Sequence, residues 1–299
     1  MPYVREARRA FGLQTLTAKV IRRSGTPPVS PTAVASSVAV GDYPTDLHGC
    51  KADGDLEGDL QETSADLQQL NGFFPIPYGV MVPSDVDGLL LAEKNFSQSR
   101  IANGATRLQP STMLVGQAAG AAAALAATKG VEPRHLAVLD IQKVLVNAGA
   151  FISQYQFADV PRSHPFWPDV QLTTARGIPM GHRGVSFGVG ETLTRAQAAL
   201  AIAELVKRPI PDVSSPDDPV TRAEFSRWLA RGLGQAEAYT PPPGTHTFID
   251  VPSAHSAYRS IEYLVSGGIV VPCAAGTDRY CPDEALKRGD AARFFARSL

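Results

Sequence analysis

The sequence predicts an α+β protein in which a mixed domain, residues 1–153, precedes an all-helical domain, residues 154–299. Two observations carry this prediction: short apolar runs bounded by Pro and Gly precede one long helix in the first part, and the second part contains an internal repeat. The length of 299 residues also suits two domains, since a domain commonly contains roughly 150 residues.

Composition narrows the classes of partner. The chain contains 28 basic and 29 acidic residues, and its formal net charge of -1 gives no bulk attraction to nucleic acid. Hydrophobic residues make up 44% of the chain, which is enough to build a packed core. No uninterrupted apolar run reaches the roughly 18 residues of a membrane span, so we expect no such span. The charged N-terminus lacks the apolar stretch of a secretory signal, so from these residues we expect no export address.

In the first domain the run FFPIPYGVMVP predicts a short strand and a Pro-marked turn, and Gly88–Ala92 predicts a second strand. A long helix follows, with Pro110 in its first turn and Gly130 at its end. The hydroxyls of Ser111 and Thr112 and the positive end of the helix dipole suit a phosphate or another anion.

One face of this helix carries Gly116, Gly120 and Ala124 and is nearly bare backbone. Such a face is typical of a helix that is approached closely, either by another element of the protein or by a flat ligand. The spacing leaves both alternatives open.

The second domain repeats itself. The stretch FADVPRSHPFWPDVQLTTARGI, residues 157–178, aligns without a gap on FIDVPSAHSAYRSIEYLVSGGI, residues 248–269. In the later copy apolar residues recur at helical spacing, and the pair Gly267 and Gly268 ends the helix. His164 and His255 occupy equivalent places, so we interpret both as structural.

Each repeat continues with a second helix. Thr194 and Gln197 predict a capping box in TRAQ, and Thr221 and Glu224 predict another in TRAE. This middle copy lacks the first half of its unit. In the last copy Lys287 stands where the capping Thr is expected.

Together these features resemble the S-layer homology family over residues 157–299. The resemblance implies a small all-helical bundle of up to three repeats that docks on cell-wall polymers at a bacterial surface. In that family the Arg of the TRAE motif often faces an acidic glycan, which would correspond here to Arg195, Arg222 and Arg288. The alternative is that each Arg only caps or pairs locally.

The first domain has a resemblance of its own, carried by four blocks that occur in the order PYVREARR, VGDYPTDLHG, IPYGVMVPSDVDGLLLAEKN and ATRLQPSTMLVGQAAGAAAALA. These blocks resemble the C-terminal portion of FAD-dependent oxidoreductases with a glutathione-reductase-type flavin fold. The resemblance implies FAD as the cofactor, a small-molecule substrate, and a helix after RLQP that abuts the flavin. It also implies a set of flavin-side residues: Asn95, Arg107, Gln109, Pro110, Ser111 and Thr112. Glu93 and Lys94 adjoin this set, with Glu93 where such folds commonly have Gly.

One element of that family is absent from the sequence. Its members hold the ADP half of FAD with a strand, a G-x-G-x-x-G motif and a helix, and these 299 residues contain no such motif. The prediction is therefore an incomplete flavoprotein-like α/β domain without its dinucleotide-binding unit. A truncated reading frame, a second subunit that supplies the nucleotide-binding fold, or a remnant with another purpose would each account for this.

The acidic stretch GDYPTDLHGCKADGDLEGDL suggests a different chemistry. Alternate carboxylates in a Gly-containing loop can hold calcium or another divalent cation, and the candidate ligands are Asp53, Asp55, Glu57 and Asp59. Such a cation can polarise an ester or lactone carbonyl or activate water, with His48 as general base beside the candidate catalytic residues Asp42 and Asp46. In the flavoprotein interpretation His48 is instead the substrate-side histidine.

Three functions therefore stand as hypotheses. They are a remnant or truncated FAD-dependent oxidoreductase with cell-surface-binding repeats, a metal-assisted hydrolase of small esters or lactones, and a non-catalytic cell-wall-binding protein. The repeats favour the cell surface or a secreted location. Cys273 and Cys281 flank one loop and form either a disulfide or two free thiols.

Overall fold

The computed structural model describes residues 10–21, 34–45, 73–181, 185–210, 213–234, 239–274 and 276–299. The chain divides into two compact units, Met1–Tyr155 with Ala175–Gly177 and Gln156–Thr174 with Ile178–Leu299. The described residues combine helices with a small two-stranded sheet, which is compatible with the predicted α+β class.

The described part of the first unit contains a sheet covered by helices. Its elements are α1 (Ala18–Ile21), β1 (Ser37–Gly41), β2 (Phe74–Pro77), α2 (Arg100–Thr106), α3 (Gln109–Lys129) and α4 (Val138–Asn147). The two strands pair antiparallel with Gly41 opposite Phe74, and all of their residues are buried. Gly41 suits this place because a Cβ there would lie 2.1 Å from the Phe74 ring. Both α3 and α4 pack on β1 and on each other, so these elements form the core of the unit.

The second strand predicted at Gly88–Ala92 is wrong. The Leu91 N–H donates to the Met81 carbonyl at 2.7 Å, but the segment joins no ladder among the described residues. Residues 84–89 are exposed, whereas Leu91 is buried, so the run packs on the unit at its end without a partner strand among the described residues.

Helix α3 confirms the predicted ends, since Pro110 lies in its first turn and Gly130 stops it with a left-handed φ of 64°. Its buried stripe consists of Ser111, Val115, Ala118, Ala122 and Ala126. The bare face points elsewhere, because a Cβ added at Gly116 or Gly120 would meet no described atom within 4 Å. Close packing by the described residues therefore does not explain these two glycines.

Helix α3 also bears on the question of a membrane. Among the described residues, Gln109–Lys129 is the one helix with the length and apolar composition needed to cross a bilayer. This is weak evidence for a span, because core helices of water-soluble proteins meet the same criterion.

The regular elements of the second unit, in its described part, are helices joined by loops. Its helices are α5 (Trp167–Ala175), α6 (Arg195–Val206), α7 (Arg222–Gly232), α8 (Tyr258–Ser266) and α9 (Arg288–Ser298). Three backbone hydrogen bonds close a ring just before α6, α7 and α9: Leu193 N to Leu286 O at 3.0 Å, Leu286 N to Val220 O at 2.8 Å, and Val220 N to Leu193 O at 3.0 Å. Because each repeat donates to one neighbour and accepts from the other, the three copies have a threefold pseudosymmetry.

The middle copy lacks an outer helix, as its sequence predicts. Helix α5 precedes α6 and α8 precedes α9, whereas the described residues between α6 and α7 form no helix. In the last copy Gly289 and Arg293 pack on the Phe166 ring, with the Arg293 guanidinium 4.3 Å from the ring centroid. Ala196 and Leu200 hold the equivalent places on α6 and are exposed. The missing outer helix thus leaves this face of α6 open in the described part of the chain.

The capping box predicted at Thr194 is complete, whereas the one predicted at Thr221 is only half formed, because the Glu224 carboxylate pairs with Arg195. Thr194 and Gln197 form a full capping box, and the Thr221 hydroxyl accepts the Glu224 N–H at 3.1 Å. Lys287 makes no side-chain cap. The missing cap of α9 therefore follows from the residue at its cap position.

Local hydrogen bonds support a structural role for both repeat histidines. The Nδ1 atom of His164 accepts the Phe166 N–H at 3.1 Å, and that of His255 accepts the Ala257 N–H at 3.1 Å. Each imidazole therefore stabilises the turn that leads into an outer helix.

Candidate functional site

The first turn of α3 is the candidate contact for the flavin. Leu108 precedes it without a side-chain cap, and the turn contains no acidic residue. Gln109 and Pro110 are exposed, while Thr112 is half-buried and its hydroxyl donates to the Gln109 carbonyl at 2.9 Å. Ser111 is only 5% exposed and belongs to the buried stripe. The positive end of the helix dipole is therefore accessible beside Gln109 and Pro110, whereas Ser111 faces the core.

A turn formed by Glu93, Lys94 and Asn95 lies against α3. All three residues are exposed, and the backbone of Glu93 has a φ of 59°, in the left-handed region that favours glycine. The structure thus places Asn95 on a segment that contacts the candidate helix. The left-handed backbone at Glu93 also agrees with the resemblance, because such flavin folds commonly have glycine at this position.

Buried polar side chains position this turn, and the sequence alone did not single them out. Gln98 Nε2 donates to the Lys94 carbonyl at 3.0 Å and to Asn103 Oδ1 at 3.2 Å, and Thr106 Oγ1 donates to Gln98 Oε1. Arg107 ends α2, where its N–H donates to the Asn103 carbonyl at 3.2 Å and its side chain is half-buried. The available signal was the polar run Ser97, Gln98 and Ser99 directly after Phe96.

The acidic stretch contributes little to the described structure. Asp42 directly follows β1 and is exposed. The other predicted residues of this stretch lie outside the described residues: Asp46, His48, Asp53, Asp55, Glu57 and Asp59. The described part of the chain contains no group of three or more His, Cys, Asp or Glu side chains arranged to hold a metal.

Tyr78 is a buried ionisable group of the first unit, and its contacts are structural. Burial raises the pKa of Tyr78 from its ordinary value of 10.0 to about 12, so the phenol keeps its proton further into the alkaline range. Its hydroxyl donates to the Pro133 carbonyl at 2.9 Å.

The burial of the repeat arginines determines which of them can contact an acidic polymer. Arg222 is 2% exposed, and its guanidinium donates to the Tyr280 carbonyl at 2.8 Å, the Val271 carbonyl at 2.7 Å and the Asp290 carboxylate at 3.2 Å. Arg288 is 4% exposed, and its guanidinium donates to the Phe187 carbonyl and the Glu191 carboxylate. The expectation that these two side chains face a glycan is wrong, because their charges are buried and bound by the protein itself.

Arg195 differs from its two equivalents. Its Nε atom lies 2.9 Å from both carboxylate oxygens of Glu224, and its Nη1 atom lies 3.4 Å from Asp218. The side chain is 23% exposed, so part of the guanidinium is accessible. The local-pairing alternative therefore holds for all three arginines, and Arg195 alone among them keeps a partly open face.

The DVP motifs have a structural function that the sequence did not disclose. Asp159 accepts the N–H groups of Phe187 and Gly188 at 2.8 and 2.7 Å, and Asp250 accepts those of Tyr280 and Cys281 at 2.8 Å each. Burial alone would raise the pKa of each Asp, but these hydrogen bonds outweigh it and lower the pKa below the usual 3.8. Each carboxylate therefore closes the loop of its repeat.

Comparison with known proteins supports both resemblances. The family described as FAD dependent oxidoreductase matches residues 1–145, and the S-layer homology domain matches residues 156–199. A comparison with curated proteins gave no match. The two matches follow each other in the predicted order. Residues 1–145 are therefore similar to the FAD dependent oxidoreductase family, and residues 156–199 are similar to the S-layer homology domain.

Proposed function

We propose that the first unit supplies the flavin-facing and substrate-facing portion of an FAD-dependent oxidoreductase, and that the repeats attach it to an acidic cell-wall polymer. The observation that supports the first half is helix α3, whose first turn lacks acidic residues and where a Cβ at Gly116 or Gly120 would meet no described atom within 4 Å. A flat, partly anionic group fits such a helix end.

The residues present fit one side of the cofactor. Gln109 and Pro110 offer an exposed helix start, and the Asn95 turn adjoins the same helix. Bound FAD would supply the acceptor for two electrons from a small-molecule substrate. These residues, with Arg107 and Thr112, would hold the flavin side. His48 is the proposed substrate-side histidine and lies outside the described residues.

The ADP half of FAD needs a second component. Since the sequence has no G-x-G-x-x-G motif, we propose that a separate nucleotide-binding unit, such as a second subunit, completes the cofactor site.

Flavin binding tests this proposal directly. The purified chain is mixed with excess FAD, freed of unbound flavin and measured by visible absorption. Gln109→Glu adds a negative charge at the proposed anion contact and is expected to weaken FAD binding about tenfold, or about 1.4 kcal/mol. Gln117→Glu adds the same charge at another exposed position of α3 and serves as the matched control.

The outcomes separate the hypotheses. Flavin retained by the wild type and lost in Gln109→Glu alone supports the assigned helix end. Equal binding by both variants contradicts it. A protein that stays colourless with FAD removes the redox proposal for this chain, and ester or lactone hydrolysis with and without a chelator, and in His48→Ala, becomes the next assay.

Wall attachment has its own test, cosedimentation of the full chain with purified wall polymer. Arg195→Ala is expected to reduce binding severalfold, because Arg195 keeps a partly accessible guanidinium. Lys207→Ala removes an equal charge from the next turn after α6, where the side chain is 72% exposed. Equal losses in the two variants would mean that bulk charge, rather than Arg195, governs attachment.

A further inference from the structure

The loop of the third repeat is closed by a covalent bond. Cys273 and Cys281 form a disulfide across a sequence separation of 8, with their Cα atoms 5.8 Å apart. The Cys273 N–H also donates to the Arg279 carbonyl at 3.1 Å. Both cysteines are half-buried and residues 276–279 between them are exposed, so the bond lies near the surface.

The backbone at Cys281 lies in the left-handed region, which favours glycine. Its φ is 56°, and Gly188 holds the equivalent place in the first repeat with a φ of 72°. The equivalence follows from the hydrogen bonds, because Asp250 accepts the Cys281 N–H as Asp159 accepts that of Gly188. A residue with a Cβ is disfavoured in this region. The disulfide therefore accounts for a cysteine where the first repeat uses glycine.

The bonded residue adjoins the contact between the second and third repeats. Tyr280 precedes Cys281 and is fully buried, with its ring 4.7 Å from the Arg222 guanidinium carbon. Its carbonyl accepts from Arg222 Nε at 2.8 Å, and its hydroxyl bonds with Ser226. Tyr280 thus connects Cys281 to the start of α7 through these contacts.

We propose that the Cys273–Cys281 disulfide is a redox-sensitive clamp on this contact between repeats. A dithiol reductant donates two electrons, the S–S bond breaks, each sulfur gains a proton, and the dithiol becomes a disulfide. Once free, Cys281 leaves the left-handed region and withdraws its N–H from Asp250. The hydrogen bond and the ring contact between Tyr280 and Arg222 then weaken. This proposal depends on neither flavin nor polymer binding.

Amide hydrogen exchange of the full chain, with and without dithiothreitol, measures the clamp directly. Reduction is expected to speed exchange at Tyr280 and Cys281 at least tenfold. Phe187 and Gly188 are the internal control, since they make the equivalent hydrogen bonds to Asp159 without a disulfide. Unchanged exchange at Tyr280 and Cys281, or an equal rise at Phe187 and Gly188, would overturn the proposal.

A paired variant checks the role of the backbone. Cys273→Ser with Cys281→Gly places glycine where the first repeat has it, so we expect no response to dithiothreitol and more protection at Tyr280 than in the reduced wild type. Cys50 is the third cysteine of the sequence, and Cys50→Ser, which leaves the disulfide intact, is expected to keep the wild-type response. The assignment fails if the paired variant still responds or if Cys50→Ser abolishes the response.

Discussion

Replacement of Arg222 by Ala tests whether the repeat arginines stabilise the fold or bind the polymer. The change removes donors from the Tyr280 and Val271 carbonyls, at 2.8 and 2.7 Å, and leaves the Asp290 carboxylate without its cation. Breaking a buried, hydrogen-bonded ion pair costs about 3–5 kcal/mol. We expect the free energy of unfolding of the second unit to fall by about that amount.

The chain contains a convenient probe for this measurement. Both of its tryptophans, Trp167 and Trp228, lie in the second unit, so tryptophan fluorescence during urea unfolding reports on that unit selectively. Arg195→Ala is the matched control, because Arg195 begins α6 as Arg222 begins α7 but is 23% exposed. Removal of a partly exposed ion pair is expected to cost about 1 kcal/mol or less.

Two results would refute this reasoning. Equal small losses of stability in Arg222→Ala and Arg195→Ala would mean that Arg222 is not buried as described. Loss of polymer binding in Arg222→Ala at unchanged stability would mean that the side chain faces the ligand.

Further predictions concern pH and two glycines. The lowered pKa values of Asp159 and Asp250 stabilise the folded second unit fully above the ordinary carboxyl pKa of 3.8, and this contribution disappears as the pH falls through the folded-state values. Urea unfolding at decreasing pH should show the loss, and Asp250→Asn should reduce its pH dependence; an unchanged dependence would contradict the loop-closing role. Gly41→Ala is expected to lower the melting temperature measured by circular dichroism, because its Cβ would lie 2.1 Å from the Phe74 ring. Gly116→Ala should raise it, as an open helix position gains up to about 1 kcal/mol from Ala. Equal shifts of the melting temperature in Gly41→Ala and Gly116→Ala would contradict the difference between a crowded Gly41 and an open Gly116.

Local signals in the sequence were enough for the helix ends and the repeats. Pro110 and Gly130 mark the ends of α3, and Thr194 with Gln197 caps α6, because each signal acts within one turn of the chain. The repeated DVP and TRAE segments and the four ordered blocks also carry the two family resemblances without any tertiary contact.

Tertiary structure decided what those signals left open. Arg222 is buried because the Tyr280 carbonyl, 58 positions away in sequence, reaches it, and Gly88–Ala92 is irregular because no described strand pairs with it. The same repeat motif therefore buries Arg222 and leaves Arg195 partly open. Sequence by itself determined the repeats and the Thr caps of α6 and α7, since these depend on residues close together in the chain. Burial, pairing and the disulfide depend on residues that only folding brings together.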